Sequence, residues 1–213
     1  MKSIQQQLAE ARIGIDNALT HPEIQQQLAL VGYNKKKLLE GKALYDHAVD
    51  LQQAYEGKYG QQYGATDTFY QNLEEVQTLY SRHRKLAKIA YENNRQQLNV
   101  LQLNTPLPSR IETWLSHALT FYKGLLLDSE VIEQYGVLEE DLLQTQAMAE
   151  ALLDARNRQI SAKGEAQRAT QQRNKSLMAL YAWMKDFRQA ARFALREDAQ
   201  LLEVLGMAVT ASR

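Results

Sequence analysis

The sequence predicts an all-α protein, an elongated helical bundle built from two homologous units with long helices. Three observations carry this prediction. Apolar residues recur at steps of three and four, and the two-residue alternation of strands appears nowhere. Two stretches of about 58 residues, 34–91 and 138–195, contain no proline. The chain also matches itself at an offset of 104 residues, with about 16 identities over the 70 positions from 32 to 101.

The matching positions include Gly32 with Gly136, Leu38-Leu39 with Leu142-Leu143, Asp50 with Asp154, Gly60 with Gly164, Ala65-Thr66 with Ala169-Thr170, and Arg84 with Arg188. Self-similarity at one fixed offset signals a repeated structural unit, and two copies suit a pseudo-twofold pair better than a solenoid. The halves join at "NTPLPSR", residues 104–110, where two prolines in three residues stop a helix. The expected organisation is therefore a first unit over 1–103, a linker over 104–110 and a second unit over 111–213, either side by side or as one intertwined bundle.

Both halves read in the same order. A first helix is expected over 3–19 and again over 110–124, the second opened by a capping box of Ser109 and Glu112. A short helix follows, over 22–31 and 128–135. Pro22 suits its first turn, and Glu23 and Glu130 sit near the positive end of the helix dipole. Gly32 and Gly136 then read as C-caps. The long proline-free stretches come next, and "QQLNVLQL" and "QLLEVLGM" close the two halves.

Within the first long stretch, "AYEGKYGQQYGAT" over 54–66 resembles a glycine loop. A phosphate loop is disfavoured, because the Walker spacing and a preceding strand are both missing. The remaining readings are a hairpin turning at Gly57–Gly64 and a single helix running through. The register of three- and four-residue steps through Tyr45, Ala48, Gln52, Tyr55, Tyr59, Gln62, Thr66, Phe69, Leu73, Val76 and Tyr80 does not slip across the glycines, and the matching segment "RQISAKGEAQRAT" keeps only Gly164. Both facts favour the continuous helix, which would be about 87 Å long.

Composition narrows the function classes. The 25 basic and 25 acidic residues balance, which argues against a dedicated nucleic-acid binder. There is no cysteine, so disulfides, thiolate metal sites and cysteine nucleophiles are excluded. The amphipathic N-terminal segment lacks the apolar core of a signal peptide, and no run approaches the ~18 apolar residues of a membrane span. A soluble cytoplasmic protein is expected.

No catalytic constellation is visible. His21, His47, His83 and His117 fall in none of the metal-ligand spacings, so no metal and no cofactor are expected. His83 occupies a core-type position matched by Phe187, and Trp114 and Trp183 lie on apolar faces. Tyr55, Tyr59 and Tyr63, at i, i+4 and i+8, share one helix face. Their counterparts are Gln159, Lys163 and Gln167, so packing common to both halves does not require them. They read as a partner surface, or alternatively as a half-buried stripe on the protein's own helices. Arg82, Arg84, Lys85 and Lys88 form a basic cluster able to contact an anion, the plainer reading being a solvated helix face.

The segments "YNKKKLLEGKALYD", "YGQQYGATD" and "LLEVLG" resemble a group of uncharacterised bacterial all-helical proteins, over most of the chain. The resemblance implies an all-helical fold and a bacterial origin, and it brings no catalytic residues. The expected function is a non-catalytic scaffold or protein–protein interaction module, with a protein partner or self-association. The alternative is a bundle that binds a lipid or other apolar ligand, or rests peripherally on an anionic membrane.

Overall fold

A computed structural model describes residues 2–208, and within them every regular element is helical. The order is α1 (Ile4–Thr20), α2 (Pro22–Leu30), α3 (Lys35–Ala90), α4 (Arg95–Val100), α5 (Ile111–Leu125), a 3₁₀ turn (Leu126–Asp128), α6 (Ser129–Glu133), α7 (Glu139–Ala194) and α8 (Ala199–Val204).

The caps follow local chemistry. Ser3 and Gln6 form a reciprocal capping box at the start of α1, which satisfies donors a helix leaves open. Asn94 accepts from the Gln97 amide at α4, and Asp198 accepts from the Leu201 amide at α8. The capping box expected from Ser109 does not form. Arg110 stands at the N-cap of α5 without a side-chain bond, and Glu112 reaches away to Arg156 at 2.9 Å.

α3 is one helix of 56 residues, and so is α7. The hairpin alternative at 57–64 is thereby corrected. Nothing lies within 4 Å of where a Cβ would sit on Gly57, Gly60, Gly64 or Gly164, so these glycines serve neither a turn nor a close approach. They lower helix propensity by about 1 kcal/mol each. Packing on either side of them carries the helix through, as is usual for helices in proteins.

Element positions agree at the sequence offset of 104. α3 and α7 start and end at matching residues, as do α4 and α8. Positive φ also recurs in step, at Gly32 (86°) with Gly136 (76°), and at Gln102 (52°) with Gly206 (70°).

The described residues divide into two compact units, and the division falls inside the long helices. One unit takes the chain through Lys58 together with the chain from Glu165 onward, and the other is Tyr59–Gly164. α3 and α7 pack together in both. In the first unit, Lys58 Nζ meets Glu165 Oε2 at 2.7 Å, and the Arg173 guanidinium lies 3.8 Å from the centre of the Tyr55 ring. In the second, Gln159 donates to Thr66 Oγ1 at 3.4 Å, and Arg156 lies over Phe69. Within each unit the partners rise in number along α3 as they fall along α7, so the helices run antiparallel.

The first unit's core joins α1, α2, α8 and the adjoining parts of the long helices. Ile15, Ile24, Leu28, Leu38, Leu180 and Phe187 are fully buried there. The second unit's core joins α4, α5, α6 and its own parts of α3 and α7 around Phe69, Val76, Tyr80, Phe121, Tyr122 and Leu142.

Candidate functional site

Two groups of residues in the Tyr59–Gly164 unit stand apart from ordinary packing. One is a set of polar aromatic side chains in its core, and the other is a face of α3 that shows tyrosines to solvent.

The polar set is built on α3 and α5. His83, only 3% exposed, brings Nδ1 to 3.2 Å from the Tyr122 hydroxyl. Tyr80 meets Trp114, His117, Phe121 and Tyr122 edge-on, with centroids 5.1–6.2 Å apart. His117 Nδ1 pairs with Gln102 Oε1 at 2.8 Å, which fixes the proton on Nδ1 because an amide oxygen can only accept. Burial sets the acid–base character of the group. It pushes the Tyr80 hydroxyl up to about 12 against the pull of the Arg84 guanidinium, and it raises Tyr122 further. Burial also lowers both histidines, with Arg82 adding to the effect at His83 and Arg84 at His117, while Asp141 opposes it at His83. At neutral pH both rings are therefore held neutral.

A cleft of about 250 Å³ opens over His83. Thr145, 2% exposed, lines its base, and its hydroxyl donates to the Asp141 carbonyl at 2.7 Å. Glu75, Arg82 and Asp141 stand on its rim, with Leu79, Val137 and Met148 supplying apolar wall. The Asp141 carboxylate also accepts from the Leu138 amide at 3.1 Å and is thereby oriented. Among the described residues no group of three histidine or acidic side chains could hold a metal ion.

The basic cluster divides. Arg84 donates through Nη2 to the carbonyls of Gln102, Leu103 and Thr105 at 2.8–3.3 Å, so its guanidinium ties down the turn after α4. Arg82, Lys85 and Lys88 are exposed, and the first two share an open groove with Glu74 and Tyr135.

The tyrosine face also divides. Tyr55 is half-buried beneath Arg173, and Tyr59 is half-buried with its ring 6.1 Å from that of Tyr63. Tyr63 is 61% exposed, and Tyr70, seven residues on, is 51% exposed. A separation of seven keeps both on nearly the same face. Tyr70 was legible by that spacing, although the i, i+4, i+8 stripe drew attention the other way.

No family model, curated protein or solved structure matches the chain. The resemblance to uncharacterised bacterial helical proteins therefore rests on the quoted segments alone. Among the described residues no helix is long and apolar enough to cross a membrane.

Proposed function

We propose that this chain is a non-catalytic helical scaffold or interaction module that engages a protein partner or a second copy of itself. The observation that carries the reading is the solvent-facing pair Tyr63 and Tyr70, with the Tyr59 ring tilted against that of Tyr63 at 6.1 Å. Tyrosine brings large contact area at little entropic cost, and exposed tyrosines recur at interfaces for that reason. The anion-contacting role of Arg82, Lys85 and Lys88 belongs to the alternative of an anionic membrane surface. Glu74 in the same groove weakens that alternative.

We also infer that the two halves derive from one duplicated helical unit. The identities at an offset of 104 and the matching bounds of α3 with α7 and of α4 with α8 support this reading. So does the recurrence of left-handed turn residues at Gly32 and Gly136, and at Gln102 and Gly206.

The test of function is the double variant Tyr63→Ser/Tyr70→Ser. Sedimentation velocity over a concentration series should show weaker self-association, or cross-linking in the native host should lose a partner, while circular dichroism stays unchanged. If the double variant associates as the natural chain does in both assays, the tyrosine face is not the interface and the reading fails.

A further inference from the structure

We propose that the cleft over His83 binds a small zwitterion, a molecule of amino-acid size carrying one ammonium and one carboxylate group. The matching place in the other unit is filled. There Trp183 and Phe187 stack at 5.2 Å and 14°, and Tyr33 closes on both at 5.7 and 5.6 Å. Gly41 makes room for them, since a Cβ at that position would collide with the Trp183 ring.

At an offset of 104 the counterparts of Trp183, Tyr33, Phe187 and Gly41 are Leu79, Val137, His83 and Thr145. Two large rings become smaller aliphatic chains, and the space they would occupy is open. An aromatic plug satisfies the packing of this arrangement in one unit, so the fold itself does not demand the cleft in the other. The floor has also changed in kind, from a phenyl ring to a neutral imidazole tied to the Tyr122 hydroxyl.

Size and charge choose the ligand class. A volume of about 250 Å³ lies below the ~300–1,000 Å³ typical of pockets for drug-sized ligands. Glu75 on α3 and Asp141 on α7 bring carboxylates from two helices, suited to an ammonium group. Arg82 offers a planar guanidinium, suited to a carboxylate. A lone anion would meet two carboxylates and a lone cation would meet Arg82, whereas a zwitterion satisfies both. Leu79, Val137 and Met148 leave an apolar wall for its side chain.

Isothermal titration calorimetry with a panel of free amino acids tests the proposal. The same panel is run as decarboxylated amines and as N-acetyl acids. At least one free amino acid should bind, and its amine and N-acetyl forms should bind roughly tenfold or more weakly. Arg82→Gln and Asp141→Asn should each weaken binding by about as much, the latter keeping an acceptor for the Leu138 amide. The triple variant Leu79→Trp/Val137→Tyr/Thr145→Gly imports the other unit's plug and should abolish binding with helicity retained. If that variant fails to fold, the two single variants decide the matter. Absence of binding across the panel would overturn the proposal. So would binding that survives Arg82→Gln and Asp141→Asn, or amines that bind as tightly as the amino acids.

Discussion

The two compact units hold different chemistry at the positions that match at an offset of 104 residues. Where α3 and α7 meet α1 and α8, the core closes on Trp183, Met184 and Phe187. The matching positions of the other unit hold Leu79, Tyr80 and His83, and α5 adds His117 and Tyr122. Apolar burial contributes stability without further conditions, at roughly 25 cal/mol per Å². Buried hydroxyls and imidazoles contribute only when each finds a partner, and an unmade bond costs about 1–3 kcal/mol. The second unit buries more polar side chains than the first, and two of their atoms, the Tyr80 hydroxyl and His117 Nε2, have no hydrogen-bond partner among the described residues.

The largest effect should come from breaking the apolar solution. Trp183→Ala removes a ring that is 8% exposed and packed on Phe187, and it should cost about 3–5 kcal/mol in urea unfolding. A sharper form exchanges the solutions. Gly41→Thr alone drives a side chain into the Trp183 ring and should destabilise by about 1–3 kcal/mol. Adding Trp183→Leu, which recreates the Leu79–Thr145 pair of the other unit, should recover part of that loss. Losses that simply add in the double-mutant cycle would mean that the matching positions are not equivalent.

The polar solution should break more cheaply. Tyr122→Phe keeps the ring and takes the hydroxyl from His83 Nδ1, at an expected cost of about 1–3 kcal/mol. Unchanged stability would mean that the His83–Tyr122 contact carries no net weight.

The same residues make the Tyr59–Gly164 unit answer to mild acid. His83 and His117 are lowered in the folded chain, chiefly by burial, whereas in the unfolded chain they titrate near 6.5. As pH falls through about 6.5 the unfolded state binds protons first, so stability declines from there downward until the folded rings also protonate. Above that range both states are neutral and the two histidines contribute no pH dependence. Urea midpoints between neutral pH and pH 5 should fall, and less steeply in His83→Phe, which restores the residue found at 187. An identical slope in that variant would remove His83 as a source of the acid sensitivity.

Much of the fold was legible because helical signals are local. The register through Tyr55, Tyr59, Thr66 and Phe69 carried the reading across three glycines, and α3 is continuous there. His83 was legible as a core residue because Phe187 stands at the matching position, and it is buried. The cleft was not legible, since it needs Val137 and Leu79 to be adjacent, and that adjacency arises only when α3 and α7 pack. The compact units were hidden for the same reason. Their boundaries, at Lys58–Tyr59 and Gly164–Glu165, lie in mid-helix beside Gly57, Gly60 and Gly164, and a helix that runs straight through those glycines gives no sign that the core changes there. Ser109 misled because its spacing to Glu112 mimics a capping box, while Arg156 offers that carboxylate a charged partner.

The smallest effect concerns the turns that close α4 and α8. Gly206 takes φ = 70° at no steric cost, whereas Gln102 takes φ = 52° with a side chain attached. A left-handed residue other than glycine costs roughly 1–2 kcal/mol. Gln102 has an offsetting return: its side-chain oxygen accepts from His117, and its carbonyl accepts from Arg84. Gln102→Gly relieves the backbone but removes the partner of a buried imidazole, so the two terms should nearly cancel, leaving a change within about 1 kcal/mol. Gly206→Ala has no such return, and its Cβ would sit 3.3 Å from Ile13, so it should lose about 1–2 kcal/mol. A clear gain from Gln102→Gly would show that the His117 bond is weaker than the strain it offsets. A clear loss would show that unit's polar interior outweighing backbone preference even at a turn.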